Sequence, residues 1–219
     1  MRVNGCDCSI VIKTSHVEKD IPYSDETLRE AVSFLQEEAA IEGDGVCRGL
    51  RKIGGVTGCV VSPLTIGTAP LLLYLAMGGA GNPVFISETR NLYQYRLELV
   101  PMEDTECFDL IQDRGGERRL FEGCRVQGFE MRFMREKAIK LKLDICGECA
   151  PRVYPYSDKY TRENGERFSG DYSTYRINGK AYTDIYGINL VSKKQGGTKT
   201  EVWIKRVINQ SSDIPEVIE

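Results

Sequence analysis

Histidine and tryptophan are almost absent: the chain has one of each, His16 and Trp203, in 219 residues. A single imidazole excludes the HExxH zinc motif, and nothing around His16 assembles a Ser-His-Asp set or a Cys–His pair. His16 lies in a candidate N-terminal strand and reads as a solvated or locally hydrogen-bonded side chain. Long apolar runs are missing too. The longest, APLLLYLAM at 69–77, falls far short of the roughly 20 residues that a membrane-crossing helix needs. The start, MRVNGCDCSIVIKTSHVEKD, has neither a long apolar stretch nor a small-residue cleavage site. No secretory signal is expected from it, and the default compartment is the cytoplasm of the producing cell.

Nor is one sign of charge in excess. Lys and Arg number 29 against 32 Asp and Glu, for a net charge of −3, with the signs mixed along the chain. A dedicated nucleic-acid binder would carry a strongly basic footprint. The glycine runs GGAGN, DRGGE and KKQGG match neither a Walker A loop nor a dinucleotide GxGxxG, and read as turn glycines. Carboxylate pairs such as QEEAA and MEDTE fall on a helix face or in a polar loop, with no pocket signalled to give them acid–base work. No solenoid repeat or low-complexity tract occurs. These absences predict a protein that is not an enzyme, built as a single domain over 1–219.

Cysteine, by contrast, is plentiful: Cys6, Cys8, Cys47, Cys59, Cys107, Cys124, Cys146 and Cys149. Without an export signal, a disulfide framework is disfavoured in a chain of this length. Cys6-x-Cys8 and Cys146-x-x-Cys149 are candidate metal ligands, since thiolates at such spacings reach one tetrahedral zinc. A thioredoxin-like reading of CGEC needs a helix starting at its first cysteine, and the prolines of the following APRVYPYSD oppose one. The other reading of these residues is as small buried apolar side chains or spare thiols.

Periodicity supplies the elements. SDETLREAVSFLQEEAAI at 24–41 places Leu28, Ala31, Val32, Leu35 and Ala39 at helical spacing behind Ser24 or Asp25 as N-cap, which predicts an amphipathic helix within an N-terminal arm over 1–45. CSIVIKTSHV reads as a strand, and VCRGLRKIGGVTGCVVSPL as one or two bent strands broken by glycine. TAPLLLYLAMGG predicts a short buried helix, with Thr68 as cap, Pro70 in the first turn and Gly78 as terminator. NLYQYRLELVP alternates with period two as one strand, and ECFDLIQD is a shorter candidate, with DRGGERR as the loop that follows it.

The sharpest signal lies at 121–149. Phe129, Met131 and Phe133 alternate with Glu130 and Arg132. After a turn at MREKA, Ile139, Leu141, Leu143 and Ile145 answer them with Lys140, Lys142 and Asp144 outward. This is a hairpin, with a basic outer face and tip in RFMREKAIKLK. Residues 150–180 lack periodicity and predict an irregular interaction loop. Two strands joined by KKQGG follow, with Tyr186, Ile188 and Leu190 set against Val202, Ile204 and Trp203. Residues 209–219 read as a polar C-terminal arm. The fold class is mainly β (α+β).

The order of these elements from about 48 to 149 resembles a bacteriophage tail tube protein of the major-tail-protein class, which shares its fold with the tube protein of type VI secretion. RGLRKIGGVTGCVVSPLTIGTAPLLLYLAMG, YQYRLELVP and LFEGCRVQGFEMRFMREKAIKLKLDI carry the likeness, the last with an aromatic-x-Gly-Cys element opening an alternating strand. DIYGINLVSKKQGGTKTEVWI fits the family's final strands. The resemblance implies a β-sandwich or partly closed barrel, six copies of which join into a ring with a continuous inner barrel. Rings then stack into a hollow tube that passes DNA during ejection. It implies the hairpin 125–145, with Phe129, Met131, Phe133, Ile139, Leu141, Leu143 and Ile145, as the ring-forming element, and loops near 44–58 and 155–175 as stacking contacts. The implied partners are further copies of the chain, tape measure, terminator and baseplate components, and DNA that passes without specific binding. No membrane and no cofactor are implied, and the place is the virion tail, assembled in the host cytoplasm. The 24–41 helix and the 150–180 segment depart from the minimal family pattern and read as additions that contact the next ring. The alternatives are a cysteine-rich zinc-binding or redox protein, and another tail component of the same fold, a terminator or baseplate hub.

Overall fold

Period-two alternation over residues 108–147 builds the centre of the molecule. The computed structural model describes residues 8–35, 50–80, 84–87, 92–94, 97–149, 151–154, 165–170, 175–177, 180–182, 185–194, 199–206 and 216–218. Its strands are β1 (Cys8–Lys13), β2 (Glu18–Asp20), β3 (Asp25–Glu26), β4 (Arg29–Leu35), β5 (Leu50–Pro63), β6 (Gly78–Ala80), β7 (Val84–Ser87), β8 (Leu92–Gln94) and β9 (Leu97–Leu99). They continue as β10 (Phe108–Arg114), β11 (Glu117–Met134), β12 (Lys140–Gly147), β13 (Arg152–Val153), β14 (Tyr175–Ile177), β15 (Lys180–Tyr182), β16 (Ile185–Lys193), β17 (Lys199–Arg206) and β18 (Glu216–Ile218). One helix, α1 (Ala69–Met77), interrupts them. No helix among the described residues is long and apolar enough to cross a membrane.

Twelve strands form one antiparallel sheet, and three two-stranded ribbons stand apart from it: β6–β9, β7–β8 and β14–β15. The sheet is organised by β11, which at 18 residues is long enough to serve different neighbours at its two ends. Along one edge it pairs first with β10 and then with β16; along the other it pairs with β13 and then β12. Two bulges make this hand-over, because an extra residue bends a strand and sharpens its twist. Glu122 and Gly123 together oppose Asp109, whose carboxylate accepts the Gly123 N–H at 3.1 Å. Gln127 is the extra residue between the Val126 and Gly128 pairs with β12.

The sheet does not close. β2 lies at one of its ends and β3 at another, and the short stretch Ile21–Ser24 crosses between them. Ile21 donates its N–H to the Ile10 carbonyl at 2.7 Å, and Ser24 donates to Val61 at 2.8 Å. β1, β5, β10, β11 and β12 carry the core: Ile10, Ile12, Val60, Phe108, Leu110, Phe121, Val126, Phe129, Leu141, Leu143 and Ile145 are buried together. The apolar helix α1 contributes Ala69, Leu72, Leu75 and Ala76 to the same core. As the sequence predicts, Pro70 stands in its first turn and Gly78 ends it at a left-handed φ of 89°. Thr68 occupies the cap position, but its hydroxyl bonds Thr65 Oγ1 at 2.8 Å instead of capping.

Several sequence expectations are corrected. The amphipathic helix expected over 24–41 is strand as far as it is described: β3 and β4 both pair with β5; 36–41 lies outside the described residues. Leu28, Ala31, Val32 and Leu35 recur at helical spacing, but the ladder to β5 decides the matter. The loop expected near 44–58 is, from Leu50 on, part of continuous β5, while 44–49 lies outside the described residues. Gly54 and Gly55 do not break β5; they oppose Ala31 as a bulge, and Gly55 has φ 91°. His16 sits in the exposed turn after β1, not in the strand. NLYQYRLELVP is two short strands, β8 and β9, with different partners. The aromatic-x-Gly-Cys element does not open a strand but forms the first bulge inside β11. The DRGGERR loop shrinks to Gly115 and Gly116, because Arg114 already pairs with Glu117.

The tip of the C-terminal arm, β18, lies on β17. The irregular 150–180 segment contributes β13, half of the β14–β15 ribbon, and a return to the sheet at 165–170. There Phe168 donates its N–H to the Leu64 carbonyl at 3.0 Å and accepts from Ile139 at 2.9 Å, while Gly170 donates to Lys137 at 3.0 Å. Those bonds tie the segment to the β11–β12 turn.

Candidate functional site

The predicted hairpin forms as β11 and β12, with Phe129 opposite Leu143 and Met131 opposite Leu141. Phe129, Met131, Leu141, Leu143 and Ile145 are buried, and Phe133 and Ile139 are partly buried against them. All seven candidate residues thus meet, but inside this chain's own core. Both backbone edges of the hairpin are also occupied, since β12 pairs with β5 from Lys140 to Gly147 and β11 pairs with β10 and β16. Any contact that the hairpin makes with another molecule must therefore come from its outward side chains.

That outward face is charged and locally neutralised. Arg132 Nε donates to Glu130 Oε1 at 2.6 Å, and Asn189 Nδ2 donates to the same oxygen at 2.8 Å. The Arg132 guanidinium holds the Glu130 carboxyl below the usual carboxylate range, against the opposing effect of burial, with Asn189 adding to the lowering. Lys142 and Asp144 pair at 3.0 Å, and the bond to Asp144 raises the lysine. Two cations of the basic run, Arg132 and Lys142, are in this way paired with acids two residues away on their own strands.

Of the four candidate metal ligands, Cys6 lies outside the described residues. Cys8 is half-buried on β1 opposite Arg114, Cys146 is half-buried on β12 opposite Arg125, and Cys149 is exposed beyond the end of β12. Among the described residues, no three of His, Cys, Asp and Glu come together as a metal-holding group. Cys146 Sγ instead rests 3.8 Å from the Met102 sulfur. A short 3-10 turn, Met102–Asp104, holds that methionine, and Arg125 fastens the turn by donating to the carbonyls of Met102 at 3.3 Å, Glu103 at 3.0 Å and Thr105. Burial pushes the Cys146 thiol up, the nearby Arg125 guanidinium working the other way. Cys124 is fully buried and pushed up to about 12 by the loss of water. Both are poor nucleophiles as placed, since the thiolate is the reactive form.

The glycine inside CGEC has a packing reason. A Cβ on Gly147 would lie 2.8 Å from Val56 Cγ1 and 3.4 Å from Cys124 Sγ, and one on Gly55 would lie 2.1 Å from the Gly147 carbonyl oxygen. The motif is the point where β12 and the β5 bulge approach backbone to backbone.

Sequence reasoning missed the polar groups that fasten the open sheet. Glu26 on β3 accepts from Gln112 Nε2 at 2.8 Å, Arg114 Nε at 2.9 Å and the Leu28 N–H at 3.1 Å, bridging β3 to β10 where no ladder does. Asp113 and Arg118 pair at 2.7 Å, mostly out of water, beside the Gly115–Gly116 turn. Lys194, at the end of β16, is 2 % exposed; its N–H donates to Gln127 at the second bulge, and its Nζ to the last carbonyl of α1, Met77, at 3.2 Å. Burial lowers the Lys194 amine to about 8. No periodic signal marks any of these; the Glu26 and Lys194 contacts join elements distant in sequence, and the Asp113–Arg118 pair depends on the register of the tight turn between them.

The fold defines the class: a mainly β chain with one open antiparallel sheet, a buried helix, and a charged outer face over the central hairpin in which Arg132 and Lys142 are paired with acids. No protein-family model matches the chain, and no curated protein matches it in sequence.

Proposed function

We propose that this protein is a structural virion component, a tail tube subunit that self-assembles into stacked hexameric rings forming a hollow tube for DNA. The observation that carries the reading is the open antiparallel sheet built around one long central hairpin, with strands at its ends that have a single ladder partner among the described residues. Such ends are templates for pairing with another chain. The tail-tube likeness of the sequence supplies the ring, the stacking and the cargo. The paired charges over the hairpin support it further. Lys or Arg free to neutralise phosphates would add salt-dependent affinity and slow the passage of DNA, and here Arg132 and Lys142 of that face bond carboxylates of the same chain. In this reading the buried hairpin residues build the rigid wall of the subunit, and the contacts between copies fall to the ends of the sheet.

The partners are other copies of the chain together with tape measure, terminator and baseplate proteins, and the place is the virion tail. The deciding experiment is the copy number of the protein in a purified particle. A tube subunit is present in many stacked rings, whereas a terminator or hub of the same fold is present as one ring; a count at the single-ring level would move the assignment to those.

A further inference from the structure

We propose that Met102 and Cys146 form a binding site for a soft monovalent metal ion, copper(I), held between the Met102–Asp104 turn and β12. The site does not depend on the tail-tube reading. Its two sulfurs, a thioether and a thiol, lie 3.8 Å apart. With bonds of about 2.3 Å, the length of a zinc–thiolate bond, such a pair subtends roughly 110° at an ion between them. A three- or four-coordinate ion adopts that angle, so neither side chain has to move. Both residues are half-buried, which leaves a path for the ion and room for a further ligand from solvent.

The two ligands are held in advance. Thr105 donates its N–H to the Met102 carbonyl at 3.2 Å and its hydroxyl to the same oxygen at 2.7 Å, and Arg125 ties the turn to β11. Cys146 is paired on both sides, with Arg125 on β11 and Thr57 on β5. Nor is this cysteine isolated. Cys107, Cys146 and Cys149 all act on the buried Cys124 thiol, so four thiols gather where β10, β11 and β12 meet.

Two features select the ion. A thioether is a soft ligand that favours copper(I), and a methionine ligand sets this group apart from the four-cysteine zinc set suggested by the sequence. Charge points the same way, because Arg125 acts on the Cys146 thiol more strongly than Glu148 does. One thiolate neutralises a monovalent ion, whereas a divalent ion keeps a positive charge beside the guanidinium. Binding releases the thiol proton to solvent, so affinity rises with pH.

The test uses the full chain with isotope-labelled methionine methyl groups and copper(I) added in the absence of oxygen. The chain has five methionines, and Met102→Leu, a volume-conserving change, assigns the Met102 signal. The first equivalent of copper(I) is expected to shift that signal and leave the others. Against a competing copper(I) chelator, Cys146→Ser is expected to bind at least about tenfold more weakly, a loss typical even of residues behind a ligand. A first equivalent that leaves the Met102 methyl in place, with copper on exposed Cys107 or Cys149 instead, overturns the site. So does a Cys146→Ser chain that binds as tightly as wild type. One equivalent of zinc is expected to leave the Met102 methyl unmoved, and a shift as complete as that with copper(I) overturns the choice of ion.

Discussion

Glu26 shows how much of this fold hangs on single polar contacts. It accepts from Gln112, whose side chain lies in a residue only 2 % exposed. Removing the acceptor leaves a buried amide without its partner, at a cost of about 1–3 kcal/mol. Glu26→Ala is accordingly expected to lower the unfolding free energy measured in urea by that much, and Glu26→Gln, which keeps an acceptor oxygen, to recover part of it. The exposed arm of the same cluster, Arg114, contributes little on its own because water screens it. Lys194 gives a pH signature. Its folded-state value near 8 lies below the usual 10.5, so the folded chain favours the neutral amine. The penalty of burying the charge is present in full below pH 8 and is relieved as pH rises from about 8 to about 10.5. Thermal melts should therefore show wild type gaining stability over that window relative to Lys194→Met, which lacks the titration. Among the described thiols, differential alkylation at neutral pH should label exposed Cys107 and Cys149 first and Cys124 only on unfolding.

At the scale of elements, the hairpin and α1 were legible because each has one face that must be dry. Phe129, Met131, Leu141 and Leu143 alternate without interruption, and 69–77 is apolar throughout. Truncating the centre, Phe129→Ala, should cost about 3–5 kcal/mol, measured by chemical denaturation. β4 was not legible, since LREAVSFL fits a helix as well as a strand and only the distant β5 selects between them. The β5 glycines were misleading for a related reason: a glycine pair in a strand signals either a break or a bulge, and the approach of Gly147 that requires the bulge is nearly a hundred residues away in sequence. Gly147→Ala should accordingly destabilise by about 1–3 kcal/mol through overpacking against Val56 and Cys124. The cysteine spacing of CGEC, which suggested metal or redox chemistry, coincides with this packing requirement. One zinc per chain that survives dialysis of anaerobically purified protein would support the metal reading.

Among the described residues, the main sheet has a middle paired on both edges and end strands with one partner each. The candidate ring-forming residues were correctly grouped by sequence, yet their side chains serve the subunit's own core. Which strands lie at the ends depends on the hand-over along β11, where two bulges pass one edge from β10 to β16, and bulge positions carry no period. Assembly is therefore the property that composition and alternation alone do not locate. Self-association of the purified full-length chain, followed by sedimentation and negative-stain electron microscopy over rising concentration, tests the central claim most directly. Closed rings, stacking into tubes, are the predicted result; a chain that stays monomeric at high concentration, even with the other tail components added, would contradict it.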